Sequence, residues 1–150
     1  MDEPGAQRRI LVIDDDPGLI EVLTDGLRML GDYEVIEARD GATGLAQFFE
    51  ARPACVVVDV RMPGLDGYQF VRALRGDAAT ASTPIVVLSA LVQDREQLAG
   101  LLSGADAYLL KPVKLVDLLR TIEDTIRLSL AERAEQGRLL AGDASATKEG

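Results

Sequence analysis

Short apolar runs alternate along the chain with segments of helical periodicity, and this alternation limits the folds that the chain can adopt. Residues 9–13, 55–58 and 85–88 read RILVI, CVVV and IVVL. Such runs are typical of strands that are buried on both faces of a parallel sheet. Weaker strands are predicted over residues 33–38 and 106–110. Because a helical pattern follows each strand, we predict an α/β fold with one five-stranded parallel sheet and helices on both faces.

The composition of the strands predicts their order in the sheet. The first, third and fourth strands are the most apolar and belong in the middle, whereas the second carries Glu34 and Glu37 and the fifth is short. The order 2-1-3-4-5 satisfies this division, and it is the order of flavodoxin-like, doubly wound sheets.

Cap residues and apolar periodicity place the helices. Asp16-Pro17 opens the first helix and Asp40 opens the second, in which Leu45 and Phe49 are expected to face inward. Further helices are predicted around residues 70–74, over 94–102, and from Leu115 onward. We predict a flexible N-terminus over residues 1–7, one domain over 8–130, and a helical extension with a disordered tail over 131–150.

The charge and the missing residue types exclude several classes of function. A net charge of −9 disfavours direct nucleic-acid binding, and the absence of histidine excludes Ser-His-Asp catalysis and His/Cys zinc sites. The lone Cys55 lies in an apolar run and is predicted to be a buried small hydrophobe. The chain has neither a signal-peptide pattern nor an apolar run long enough to span a bilayer, so we expect a cytoplasmic protein without membrane contact.

Polar residues follow the central strands at the points where those strands end. Asp14 and Asp15 follow the first strand, Asp59 ends the third, Ser89 ends the fourth and Lys111 follows the fifth. Ligands of parallel α/β sheets bind outside the carboxyl ends of the strands, so these side chains are expected to share one cleft. Crowded carboxylates favour a hard divalent cation such as Mg²⁺, and a lysine beside them can neutralise a phosphate. A carboxylate such as Asp59 can act as a nucleophile toward phosphorus.

The segments around these residues resemble the receiver domain of response regulators. The matching segments are ILVIDDDP, VVVDVRMPGLDG, VVLSA and AYLLKP, which occur in the family's order and at its usual spacing over about residues 8–130. The resemblance implies that Asp14 and Asp15 hold Mg²⁺ together with Asp59 and the backbone carbonyl of Arg61. It also implies that Asp59 accepts the phosphoryl group.

The resemblance assigns switching roles to further residues. Ser89 matches the switch hydroxyl, Lys111 the phosphate-sensing lysine, and Tyr108 the aromatic residue that turns inward on activation. The Lys111-Pro112 bond is often cis in the family. Arg61 and Leu91 occupy the two positions at which the family tunes dephosphorylation.

The function implied is that of a phosphoryl-accepting switch, not of a turnover enzyme. Its donor would be a sensor histidine kinase or a histidine phosphotransfer protein. Its output would be the binding of a protein partner to the surface formed by the predicted 94–102 helix, the fifth strand and the last helix. The sequence leaves open whether the chain forms a homodimer. Two alternatives remain at this point: a haloacid-dehalogenase-like phosphatase with Asp14 as nucleophile, and an interaction module that does not depend on phosphorylation.

Overall fold

The computed structural model describes residues 8–91, 93 and 104–129. They form one five-stranded sheet in the order β2-β1-β3-β4-β5, with every neighbouring pair parallel. The strands are β1 (Arg9–Ile13), β2 (Glu34–Ala38), β3 (Cys55–Asp59), β4 (Ile85–Ser89) and β5 (Ala107–Leu110). The predicted fold class and strand order are therefore confirmed.

The three middle strands are buried and the outer two are not, which is why the apolar content of the strands predicted their order. All residues of β3 and β4 are buried, whereas β2 buries only Val35 and Ala38 and β5 is only partly covered. The register places Ile10 beside both Val35 and Cys55, and Val87 beside Tyr108. This register aligns the carboxyl ends of the strands along one edge of the sheet.

The described helices begin at side-chain caps. They are α1 (Pro17–Gly31), α2 (Gly41–Ala51), α3 (Gly67–Arg75) and a helix over residues 115–129, termed the last helix below. Asp16 caps α1 by accepting hydrogen bonds from the backbone N–H groups of Gly18 and Leu19. Asp66 caps α3 in a reciprocal box with Gln69. The predicted caps at Asp16 and Asp40 are thus confirmed.

Two hydrophobic layers cover the two faces of the sheet. One layer joins α1 and the last helix to the sheet and includes Leu23, Leu27, Leu118 and Ile122. The other joins α2 and α3 to the opposite face and includes Phe48, Phe70, Val71 and Leu74. The loops at the carboxyl edge therefore rest on a sheet that is packed on both sides.

Some predictions about individual positions were wrong or fall outside the described residues. Phe49 is 46% exposed, and its neighbour Phe48 is buried instead, because the face of α2 that meets the sheet is the one that also carries Gly41 and Gly44. The predicted helix over 94–102 and the segments 1–7 and 131–150 lie outside the described residues. Among the described helices, none is both long enough and apolar enough to cross a membrane.

Candidate functional site

Four strands deliver polar side chains to the carboxyl edge of the sheet. Asp14 follows β1, Asp59 ends β3, Ser89 ends β4 and Lys111 follows β5. Main-chain hydrogen bonds fix these strand ends. The N–H of Asp14 donates to the carbonyl of Ala38, and the N–H of Lys111 donates to the carbonyl of Ser89. The residues that were predicted to form a binding site therefore lie at strand ends that are hydrogen-bonded to neighbouring strands.

Three carboxylates converge at this edge. Asp14, Asp15 and Asp59 each place one carboxylate oxygen within 4.8 Å of the others. Asp14 and Asp59 are buried, with 0% and 4% of their surface exposed, whereas Asp15 is exposed. The cluster therefore consists of two buried carboxylates and one exposed carboxylate, which a cation can reach from solvent.

Lys111 lies between the two buried carboxylates. Its Nζ is 3.0 Å from Oδ2 of Asp14 and 3.1 Å from Oδ1 of Asp59. The second oxygen of Asp14 accepts a hydrogen bond from the backbone N–H of Asp16 at 3.0 Å. Both oxygens of Asp14 are thus engaged. The sequence predicted a lysine beside these carboxylates, but not which of their oxygens it contacts.

Burial and charge change the proton affinity of this cluster. Burial raises the pKa of Asp59, the negative charge of Asp14 raises it further, and Lys111 opposes both without cancelling them. Burial on its own would lower the pKa of Lys111, but its hydrogen bond to Asp14 and the two carboxylate charges outweigh burial and raise it. The formal charges of three carboxylates and one ammonium sum to −2.

The donor set fits a hard divalent cation. Mg²⁺ prefers carboxylate and carbonyl oxygens at about 2.1 Å, so that two oxygens on one ion lie up to about 4.2 Å apart. The carboxylate oxygens of Asp14, Asp15 and Asp59 lie within 4.8 Å of one another, close to that span. A dication would also neutralise the excess negative charge. The residues present are therefore suited to hold Mg²⁺.

The other predicted residues lie on β4 and β5 or in the loop after β3. Ser89 is 4% exposed, and its hydroxyl donates to the carbonyl of Leu91 at 2.8 Å and accepts from the N–H of Leu91 at 3.0 Å. Tyr108 is partly buried against the layer that contains α3, and its hydroxyl accepts from the N–H of Ala105 at 3.2 Å. Arg61 is exposed in the loop after β3. The Lys111-Pro112 bond is cis, as the resemblance implied.

A glycine allows α3 to approach the site closely. A Cβ atom on Gly67 would lie 2.6 Å from the carbonyl oxygen of Asp59 and 2.7 Å from Cα of Val60. Both are backbone atoms, so the contact could be relieved only by moving α3 or the end of β3. The N–H of Gly67 also donates to the carbonyl of Val60 at 2.9 Å. A glycine directly after the cap residue Asp66 is the sequence signal of this contact.

A buried arginine at the opposite edge holds β4 and β5 in place, and the sequence did not predict it. The guanidinium of Arg75 donates to the carbonyls of Gly104, Ala81 and Thr83 and to the carboxylate of Asp106. The same carboxylate oxygen of Asp106 accepts from the N–H of Ile85, the first residue of β4. Arg75 thereby joins the end of α3 to the starts of the two strands that carry Ser89 and Lys111.

Comparison with known proteins places this arrangement in a family. Residues 10–123 match the family model described as the response regulator receiver domain. The chain is 42% identical over 127 residues to the transcriptional regulatory protein PrrA of Mycobacterium leprae, covering 85% of this chain and 53% of that protein. The chain thus spans about half the length of this relative. It is 38% identical to Protein PilH of Pseudomonas aeruginosa, covering 76% of this chain and 93% of PilH.

Solved structures agree with the sequence comparison. The chemotaxis protein CheY4 of Vibrio cholerae superposes with a TM-score of 0.72 at 32% identity, covering 80% of this chain and 99% of that one. The receiver domain of a sensor histidine kinase from Pseudomonas aeruginosa superposes with a TM-score of 0.71 at 33% identity, covering 81% of this chain and 98% of that one. That second structure is described as having a magnesium ion coordinated in its active site cleft.

Proposed function

The chain belongs to the response regulator receiver domain family of two-component signalling, and on that premise we propose that Asp59 accepts a phosphoryl group in a reaction that needs Mg²⁺. The donor would be the phosphohistidine of a sensor histidine kinase or of a histidine phosphotransfer protein. The phosphorylated chain would then signal through a changed surface. The chain would act as a switch and would not turn over a substrate.

The observation that carries this proposal is the position of Asp59 among its neighbours. Its carboxylate is nearly buried, lies in one cluster with Asp14 and Asp15, and is 3.1 Å from the ammonium of Lys111. A carboxylate oxygen of Asp59 would attack phosphorus, the P–N bond of the donor would break, and the imidazole would leave. Phosphoryl transfer mainly requires positioning and neutralisation of charge, and this cluster supplies both.

Each neighbouring residue has a role in the proposed reaction. Asp14, Asp15, Asp59 and the backbone carbonyl of Arg61 would hold Mg²⁺, which when bound neutralises charge on the transferred group. Lys111 would donate to a phosphoryl oxygen, as lysines beside phosphates commonly do.

The residues that would transmit the change lie on β4 and β5. The hydroxyl of Ser89 would leave Leu91 for a phosphoryl oxygen, and Tyr108 on the adjacent strand would follow it inward. The side chains of Arg61 and Leu91, which stand two residues after Asp59 and two after Ser89, would set the lifetime of the acyl phosphate. The motion of Ser89 and Tyr108 is the step that would carry the signal from the site to the surface.

Output is proposed to occur by protein contact at β5 and the last helix, together with the predicted 94–102 segment. Leu110 on β5 and Val116 on the last helix expose 52% and 59% of their surfaces. These are apolar side chains that this surface could offer to a protein partner. PrrA is described as a transcriptional regulatory protein, and for this chain we propose protein contact rather than direct nucleic-acid binding, since its net charge is −9.

The proposal is tested by intact-mass measurement after incubation with acetyl phosphate and Mg²⁺. Wild type should gain one phosphoryl group, whereas Asp59→Asn and wild type in excess chelator should gain none. Asp66→Asn is the matched control, because it removes a carboxylate from the neighbouring helix cap and should still be labelled. Equal labelling of wild type and Asp59→Asn would overturn the proposal, because the acceptor would then be another group.

The two alternatives make different predictions. A haloacid-dehalogenase-like phosphatase would use Asp14 as its nucleophile, but both oxygens of Asp14 are engaged and the family match is to receivers. A phosphorylation-independent module would bind its partner equally well as wild type and as the Asp59→Asn variant. Partner binding that is unchanged by phosphorylation of wild type would favour that alternative.

A further inference from the structure

A cleft opens between α1 and the carboxyl end of β2, with a cavity volume of about 470 Å³. Alternate residues of β2 point toward α1. Val35 is buried in the hydrophobic layer that contains α1, whereas Glu37 is exposed and lines the cleft together with Arg39, which follows the strand. The apolar layer therefore ends before the carboxyl end of β2, and the cleft lies where α1 leaves that end uncovered.

A buried hydroxyl without a partner belongs to the lining of this cleft. Thr24 lines the cleft and is 1% exposed. Its hydroxyl has no hydrogen-bond partner among the residues that the structure describes. A buried hydroxyl is unfavourable unless it forms a hydrogen bond. A molecule that places an oxygen acceptor in the cleft would supply the missing partner.

The cleft is also lined by charged side chains that do not neutralise one another. They are all exposed, and they are Glu21, Asp25, Glu37, Arg28 and Arg39. Arg28 donates to the carbonyl of Val35 at 3.3 Å. Within the described part of the chain, no ion pair joins any two of these five side chains. Their formal charges sum to −1, so a ligand with both kinds of charge and an excess of one positive charge would match them.

The spacing of the carboxylates in the cleft does not suit a metal ion. Among the described residues, the group whose ligand atoms approach within 4.8 Å of one another is the cluster of Asp14, Asp15 and Asp59 at the edge of the sheet. The carboxylates of the cleft are therefore spread too widely to share one metal ion, which holds its oxygen ligands at about 2–2.6 Å. Widely spaced carboxylates suit an organic cation whose positive charges are themselves apart.

We propose that the cleft between α1 and β2 binds a free basic amino acid such as arginine. The α-carboxylate of the ligand would accept hydrogen bonds from Arg39 and from the hydroxyl of Thr24. Its ammonium and guanidinium groups would pair with the carboxylates of the cleft. Arginine carries a net charge of about +1 at neutral pH, which neutralises the charge of the lining.

The first test titrates wild type with three small molecules by isothermal titration calorimetry at constant ionic strength. L-arginine should bind with a Kd of about 1 mM or tighter. Agmatine, which is arginine without its carboxylate, should bind at least about tenfold more weakly because it has no acceptor for Arg39 and Thr24. L-glutamate should not bind. Absence of arginine binding, or agmatine binding as tight as that of arginine, would overturn the proposal.

A second test places the bound molecule in the cleft. Glu37→Gln should bind arginine at least about tenfold more weakly than wild type. Glu34→Gln is the matched control, because it removes the same charge from the same strand but from the face that points away from α1, and it should bind like wild type. Equal affinity of these two variants would overturn the proposal.

Two further measurements separate binding in the cleft from other causes. Thr24→Val should bind arginine severalfold more weakly although it removes an unpaired buried hydroxyl, so that unfolding cannot explain its loss of affinity. Excess Mg²⁺ should leave arginine binding unchanged, whereas displacement of arginine by Mg²⁺ would locate it at Asp14, Asp15 and Asp59 and contradict the proposal. No phosphoryl donor is present, so failure here leaves the labelling of Asp59 to be judged separately.

Discussion

Replacing the buried Arg75 should destabilise the fold far more than replacing the exposed Arg72 of the same helix. Its side chain is 4% exposed and donates four hydrogen bonds, one of them to the carboxylate of Asp106 at 2.9 Å. Arg75→Met keeps most of the packing volume but leaves the carbonyl of the buried Gly104 without its donor, at a cost of about 1–3 kcal/mol. Loss of the partly exposed ion pair adds about 1 kcal/mol.

The free energy of unfolding should therefore fall by about 3 kcal/mol, a large fraction of the 5–15 kcal/mol typical of domains. Urea unfolding followed by circular dichroism measures it, with Mg²⁺ held constant. The matched control is Arg72→Met, which removes the same charge from an exposed position one turn earlier in α3 and should cost less than about 0.5 kcal/mol. Similar unfolding midpoints for the two variants would refute the idea that the hydrogen bonds of Arg75 hold the starts of β4 and β5 in place.

Three further changes have expected outcomes that unfolding measurements can check. Thr24 has a buried hydroxyl without a hydrogen-bond partner among the described residues, so Thr24→Val should stabilise the fold by about 1 kcal/mol; a loss of stability would contradict this. Gly67→Ala should cost about 1–3 kcal/mol because its Cβ meets the backbone of Asp59, whereas Gly18→Ala, which meets only ordinary contacts, should cost nothing. Because the pKa of Asp59 is raised on folding, wild type loses stability as pH rises from the ordinary carboxyl range through the raised pKa. Asp59→Asn should therefore be more stable than wild type at neutral pH in metal-free buffer, and this difference should vanish below about pH 4. A difference in stability that does not depend on pH would show that the charge of Asp59 is not its cause.

Much of the fold could be predicted because the strands differ so clearly in composition. The apolar runs ending at Val58 and Leu88 identified the central strands, and Glu34 and Glu37 marked an edge. Once the order is fixed, the parallel register brings Asp14, Asp59 and the residues after β4 and β5 to one edge without further information. That Asp14, Asp59 and Lys111 share one edge was predictable for that reason, whereas the particular contacts between their side chains were not.

The details that were missed depend on side-chain direction, which periodicity defines poorly. Phe48 and Phe49 are adjacent and equally apolar, and only the angle at which α2 meets the sheet decides which is buried. Arg75 reads as an ordinary basic residue in the last turn of a helix. Its burial depends on carbonyls supplied by residues 6 to 29 positions away. The contact between Lys111 and Asp14, 97 residues apart, likewise follows from tertiary structure alone.

The most direct test of the central claim is to locate the phosphoryl group chemically. After incubation with acetyl phosphate and Mg²⁺, reduction with borohydride converts an aspartyl phosphate to homoserine, and peptide mass spectrometry then identifies the modified residue. Homoserine at position 59 and nowhere else is the predicted result. Homoserine at position 14 or 15, or a stable phosphoryl group on a hydroxyl side chain, would contradict the assignment of Asp59 as the acceptor.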